Sequence, residues 1–482
     1  MNPPDVKKWL CALAFTGVLT ACGGGSSSNS SPAPAAALPE NSTLRVAKGT
    51  VTGFGSVWVN GVEWETDDCE ITIDDEPGDE SQLEVGNIVE VQGSTDDDGI
   101  ARCDSMEFDS ELEGLITEVG VDYILVHGLR VEINDDTLFD DDLANQNISD
   151  LNEGDYVEIS AFAVADGYVA TRIEVEVDDG EVEIYGKVEN LDTGMNTFMI
   201  QEMTVNYASA SFDDFDGRDI AEADYVEVEG QSFNSDDELV ATSVEYKDNN
   251  PYDDGDEGNE FEAEGYLSVV DGSPLILNDF EIVLADDVTF EYGSEEDLID
   301  GAKVEVEGTI NATGQLVVNE VKFKIESDIE IKAPLDALPT QDADSGEWTI
   351  SLLGREILVA EQTQLEDASK LDDTYFDISD VAENEWLEAK VYESDAADFI
   401  AVRIEREDAS DFVEIEGPLS AITADVLTVA GFAVIVDDQT IVPEGETLAS
   451  LLDTLEPGVS VVEVEGTWSE GSITAFELQL ED

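Results

Sequence analysis

The side chains able to do chemistry are many in number and few in kind. The chain carries 117 Asp and Glu, four Cys and a single His. His127 sits in Val126-His127-Gly128, in register with the hairpin turn Asn60-Gly61, so it reads as an exposed turn residue. No Gly-x-Ser-x-Gly elbow, Cys-x-x-Cys pair, His-Glu-x-x-His helix or phosphate-cradling loop is present. A glycan hydrolase needs only two carboxylates at the right separation, and a sequence this acidic singles out no pair. A non-catalytic protein is therefore expected, with an acid-pair glycan hydrolase the third of three functional readings.

Binding chemistry has three candidates. Trp58 alternates with Val57 and Val59. If the valines enter a core, its indole faces outward, to stack on a sugar ring or to pack beneath a neighbouring element. Asp/Glu-rich turns are natural ligands for hard cations. They occur at Asp96-Asp97-Asp98-Gly99, Asp213-Asp214-Phe215-Asp216-Gly217 and Asp253-Asp254-Gly255-Asp256, and none completes an EF-hand loop. The richest stretch, Lys247 to Glu260, reads as an acidic hinge over 249–258. There Asp253, Asp254, Asp256 and Glu257 form a candidate weak calcium site; no other cofactor is expected.

The cysteines divide by position. Lys7 and Lys8 precede an apolar stretch from Trp9 to Thr20, which ends in Leu19-Thr20-Ala21-Cys22. That pattern resembles a bacterial lipoprotein signal (1–21), with Cys22 the lipidated residue and a Gly/Ser/Pro/Ala tether over 22–48. The expected location is the bacterial cell envelope, anchored to the outer membrane through the lipid alone. Cys11 leaves with the signal, so Cys69 and Cys103 remain as an even pair that reads as a disulfide in an oxidising compartment.

These residues must be carried by folded elements. With 42% hydrophobic residues the chain is too apolar for an acidic disordered tail. Its formal charge of −98 excludes nucleic acid and anionic membrane surfaces as partners. An alternating strand opened by a turn recurs at Leu83–Gly93, Leu151–Ala161, Ile220–Gly230, Leu298–Gly308, Val381–Val391 and Leu455–Gly466. The period is about 72 residues, which means a tandem array. In Val226-Glu227-Val228-Glu229 the valines should face a core and the glutamates water. Ahead of the last copy, Leu448, Leu451, Leu452 and Leu455 have helical spacing. The order β-β-β-(short α)-β-β is that of an OB-like small β-barrel, with an open sandwich or meander as the competing architecture. The repeats are placed at 49–110, 111–180, 181–248, 259–326, 327–410 (divergent) and 411–482.

The run Gly49-Thr50-Val51-Thr52-Gly53-Phe54-Gly55-Ser56-Val57-Trp58-Val59-Asn60-Gly61-Val62 continues with Leu83-Glu84-Val85-Gly86 and Val89-Glu90-Val91-Gln92-Gly93. Together they resemble the bacterial lipoprotein domain of unknown function numbered five-six-six-six. The likeness is fullest in the first repeat and poorest in the fifth, where Asn384 and Val391 replace the turn and closing glycines. The resemblance implies small β-barrel modules in the envelope and no activity. The expected protein is a lipid-anchored structural or ligand-binding array, with a calcium-dependent adhesin or polysaccharide binder as the alternative. Its expected partners are a polysaccharide, an envelope protein or divalent cations.

Overall fold

The last repeat shows most directly how the sequence makes a barrel. Its strands are Val413–Thr423, Val426–Val429, Phe432–Ile435, Val461–Ser469 and Ser472–Glu481, with a helix at Leu448–Thr454 after the third. The first strand pairs antiparallel with the second and the fourth, and the second with the third. The third lies parallel to the fifth, which returns antiparallel to the fourth and closes the barrel. That circuit is the OB topology. The helix is capped by Thr447, whose side chain accepts from the Ser450 N–H, and it buries Leu451 against the barrel. Shorter 3₁₀ turns replace it at Glu80–Gln82, Ile148–Asp150, Glu295–Asp297 and Ile378–Asp380.

The computed structural model describes residues 43–481. It leaves out 96–99, 248–258, 270–273, 312–314, 343–346, 372–374, 394–397, 444–446 and some single positions or pairs between them. The expected signal, Cys22, the expected tether up to residue 42 and the acidic hinge with Asp253, Asp254, Asp256 and Glu257 therefore lie outside the described residues, while residues 43–48, expected as tether, belong to the strand Thr43–Gly53.

The repeated glycines answer backbone demands. The strand-opening turn has positive φ in every repeat: Gly86, Gly154, Ala223, Gly301, Asn384 and Gly458. Asn384, at φ 69°, keeps the left-handed conformation that the glycine supplies elsewhere. The closing glycine marks a β-bulge, and a Cβ on Gly93 would collide with the Arg102 carbonyl. Ala161 and Val391 follow the same register shift in the second and fifth repeats.

The barrels pair by joining their first strands. Thr43–Gly53 of the first repeat runs parallel to Glu260–Ser268 of the fourth. The second and third repeats join antiparallel through Leu112↔Ile184, and the fifth and sixth through Ile415↔Ile331. Three sheets of two barrels result, and residues 41–482 form one compact unit. Sequence neighbours are thus not always structural neighbours.

Close association of barrels changes the fate of the outward glutamates. The valines are core as expected, with Val226, Val228, Val304 and Val306 fully buried. Glu227, Glu262 and Glu405 are not solvated; they are 7%, 2% and 9% exposed. The expectation that the glutamates of the Val-Glu-Val-Glu strand face water fails for Glu227, because the outer face of one barrel packs against another.

Candidate functional site

Buried carboxylates need partners, and the few cations supply them. Arg172 of the second barrel is 2% exposed. It donates to the Val85 carbonyl and Glu84 of the first barrel, bonds Glu174 at 3.0 Å, and lies 3.5 Å from Glu366 of the fifth. Arg45 of the first barrel pairs with Glu262 of the fourth. Lys247 of the third reaches Asp75 at 2.6 Å and Asp109 at 3.8 Å, both on the first, and its own Glu227 at 2.8 Å. Burial opposes the charge of Lys247, but Asp109 and Glu227 outweigh it and raise its pKa.

Lys247 does not balance its surroundings. Carboxylate oxygens of Asp74, Glu113 and Glu183 lie within 4.8 Å of one another, as do those of Asp75, Asp109 and Glu227, and those of Glu183, Glu227 and Glu229. Groups this close cannot all ionise in a poorly solvated junction. Burial first, then Glu227 and Glu113, push Glu183 up to about 10. Burial and Asp74 push Glu158 up to about 9, and burial raises Glu227 to about 7 against the pull of Lys247. Such triads share protons or hold a divalent cation.

A cavity of about 490 Å³ opens where the first four barrels meet. Phe162 and Tyr168 come from the second barrel, Tyr185, Gln201 and Tyr225 from the third, and Tyr266 from the fourth. The rings of Tyr185 and Tyr225 lie 6.2 Å apart and those of Phe162 and Tyr266 6.0 Å apart. Gln201 occupies a hairpin-turn position at φ 50°, and its amide donates to the Val164 carbonyl at 3.3 Å. Glu111 lines the same wall, where its carboxylate accepts from the Ala161 N–H at 2.9 Å and burial raises its pKa to about 8. Aromatic faces beside amide and carboxyl groups form a surface suited to a polyhydroxylated or weakly cationic ligand.

The residues singled out by sequence fall elsewhere. Trp58 is half-buried, and it does not line this cavity. His127 is in the expected turn at φ 47°, but it is not an exposed turn residue. It is half-buried, its ring lies 5.0 Å from Phe233 of the third barrel, and its Nε2 accepts from the Leu115 N–H at 3.1 Å. That nitrogen is therefore unprotonated, and burial lowers the pKa of the ring. Cys69 and Cys103 are joined in a disulfide with Cα atoms 5.1 Å apart. Of the acidic turns, 96–99 and 253–256 lie outside the described residues. The tyrosine cavity itself left no trace in the sequence, because its walls come from four barrels.

Fold and junctions define a class: a protein of tandem five-stranded β-barrels assembled through buried ion pairs. Within that class, residues 48–107, 113–174, 185–245, 264–322, 340–405 and 416–479 each match the family described as Domain of unknown function (DUF5666), and the chain belongs to that family. No curated protein matches it. Among solved structures, the one titled "drosophila Unr CSD456" aligns at 14% identity over 47% of this chain and 97% of its own. Its TM-score of 0.11 gives that likeness no weight.

Proposed function

We propose that this is a lipid-anchored bacterial envelope protein, held by Cys22, whose barrels form a non-catalytic ligand-binding module. The single observation behind this reading is the tyrosine-lined cavity of about 490 Å³ at the junction of four barrels. Its size falls within the roughly 300–1,000 Å³ of small-molecule pockets. The net charge of −98 disfavours anions, so a neutral glycan unit is the preferred ligand. The disulfide Cys69–Cys103 suits an oxidising compartment. The protein spanning residues 41–482 should bind neutral glycans on an array, and Tyr225→Ala should abolish that binding. An array without signal, or binding unchanged in the variant, would reject the reading. The anchor is tested separately: Cys22→Ala should move the protein out of the membrane fraction.

A calcium-dependent adhesin is the second reading, supported by the carboxylate triads around Glu183 and Glu227. In that case glycan binding should vanish with a chelator and return with millimolar calcium.

A further inference from the structure

A second cavity, of about 460 Å³, lies between the first, fourth and fifth barrels, apart from the tyrosine-lined one. One wall is the outer face of the fourth barrel, and strand register orders its charges. Glu262, Glu307 and Glu320 lie opposite one another across three strands and form an acidic row. Two residues along each strand, Glu264, Glu305 and Lys322 form a mixed row. Two residues further come Lys303 and, just past the strand Leu316–Phe323, Lys324, whose backbone N–H donates to the Lys303 carbonyl at 3.0 Å. All of these residues line the cavity.

The middle of this wall is neutralised in place: Lys303 binds Glu264 at 2.8 Å and Lys322 binds Glu305 at 3.0 Å. The ends are not. At the acidic end Arg45 of the first barrel pairs with Glu262, and Lys322 comes only to 3.8 Å from Glu320. Glu307 has no ion pair or hydrogen bond among the described residues. Burial raises the pKa of Glu262 against the pull of Arg45, and Glu307 adds to the rise, so this row is short of positive charge. Glu262 is 2% exposed, yet its Oε2 has no hydrogen-bond partner among the described residues, and neither has Thr50 Oγ1 on the wall from the first barrel. Buried polar atoms are seldom left so. At the other end Lys324 has no carboxylate in ion-pair contact among the described residues, but its charge acts at longer range. Against burial, Lys303 and Lys324 hold Glu264 at about 2, and Lys324 and Lys303 lower Asp136 of the second barrel. The wall is therefore negative at one end and positive at the other.

We propose that this cavity binds a short zwitterionic peptide, its ammonium on the row of Glu262, Glu307 and Glu320 and its carboxylate at Lys324. The acidic and basic rows lie four residues apart, about 13 Å along a strand, and long Glu and Lys side chains narrow that gap. An extended tripeptide spans about 10 Å, whereas the charges of a single amino acid sit too close together to reach both rows. Thr52, Asn60 and Gln364 on the other walls offer hydroxyl and amide groups to the peptide backbone. A zwitterion has no net charge, so a chain at −98 does not repel it as it would an anion. The carboxylate triads close enough to hold one metal ion lie elsewhere among the described residues, around Glu183 and Glu227, so this row suits an ammonium better than a metal.

The test titrates the folded unit of residues 41–482 with triglycine by calorimetry, in about 0.15 M salt to damp non-specific cation attraction. N-acetyl-triglycine lacks the ammonium and triglycine amide lacks the carboxylate. Each should bind at least about tenfold more weakly, because each forfeits one charge-assisted contact. No saturable binding of triglycine overturns the proposal, and so does either blocked peptide binding as tightly as triglycine or more so. Glu307→Gln, at a side chain with no ion pair to lose, should weaken triglycine at least about tenfold; an unchanged affinity overturns the acidic row as the ammonium site. Tyr225→Ala, in the tyrosine-lined cavity, should leave triglycine binding unchanged. Loss of binding in that variant would overturn the assignment of the peptide to this cavity.

Discussion

Arg172 Nη1 donates to the Val85 carbonyl at 3.1 Å, so a guanidinium of the second barrel closes onto the backbone of the first. The same group faces Glu84, Glu174 and Glu366. Arg172→Met should take this guanidinium away from the three carboxylates and cost up to about 3–5 kcal/mol, the usual penalty for breaking a buried pair from one side, reduced by the solvent that reaches Glu84. Chemical denaturation checks this, and a loss below about 1 kcal/mol would mean that the contact is ornamental.

Stability should fall as pH rises from about 5 to 9. Glu183, Glu158 and Glu227 have folded pKa values of about 10, 9 and 7, all above the ordinary carboxyl value. Between the unfolded and folded values the native state binds more protons, so each added pH unit favours unfolding. The contribution is intact below the unfolded value and is lost as pH climbs through the folded ones. Glu264, held at about 2, works in the other sense: its contribution is lost as pH falls from the ordinary carboxyl range toward 2. Melting temperature against pH should therefore peak near pH 4–5. Glu183→Gln should flatten the alkaline limb; an unchanged limb would show that the junction carboxylates do not govern it.

Melting temperature should also rise with sodium chloride. Surface repulsion in a chain of charge −98 is screened as the Debye length drops from about 10 Å at 0.1 M to about 3 Å at 1 M. The buried pairs of Arg172, Lys247 and Arg45 are screened much less, so repulsion should dominate the trend. A melt independent of salt would contradict a charge-strained surface.

The thiols of Cys69 and Cys103 should resist labelling until reduced. The bridge spans 34 positions, and opening it should cost about 3–4 kcal/mol on the chain-entropy view. Calorimetry with and without reductant reads the difference; free thiols in the protein purified without reductant would refute the bridge.

Local features were legible because they leave periods in the sequence. The alternation of Val226 and Val228 gave the strand, the leucines from Leu448 gave the helix, and Asn60-Gly61 gave the turn. Docking leaves no period. Nothing in Val226-Glu227-Val228-Glu229 separates the 7%-exposed Glu227 from the half-buried Glu229, because the difference lies in which barrel arrives opposite. One signal was available in the scarcity of cations. Where acids outnumber bases so heavily, an outward Arg172 or Lys247 on a strand marks a place where another surface will land. The wall of tyrosines gave no such signal, since each ring alone reads as an ordinary strand residue.

The parallel joining of the first and fourth barrels imposes an order in time on the making of the protein. Arg45 meets Glu262 across 217 positions, so the first strand to emerge waits for a partner made much later. A chain delivered from its N-terminus must keep Thr43–Gly53 as an open edge until the fourth repeat appears, and open edges recruit other chains. The first barrel is the oldest part of the molecule and among the last to be finished. Proteins halted after the third repeat should fail by clumping, even though each barrel they contain is whole.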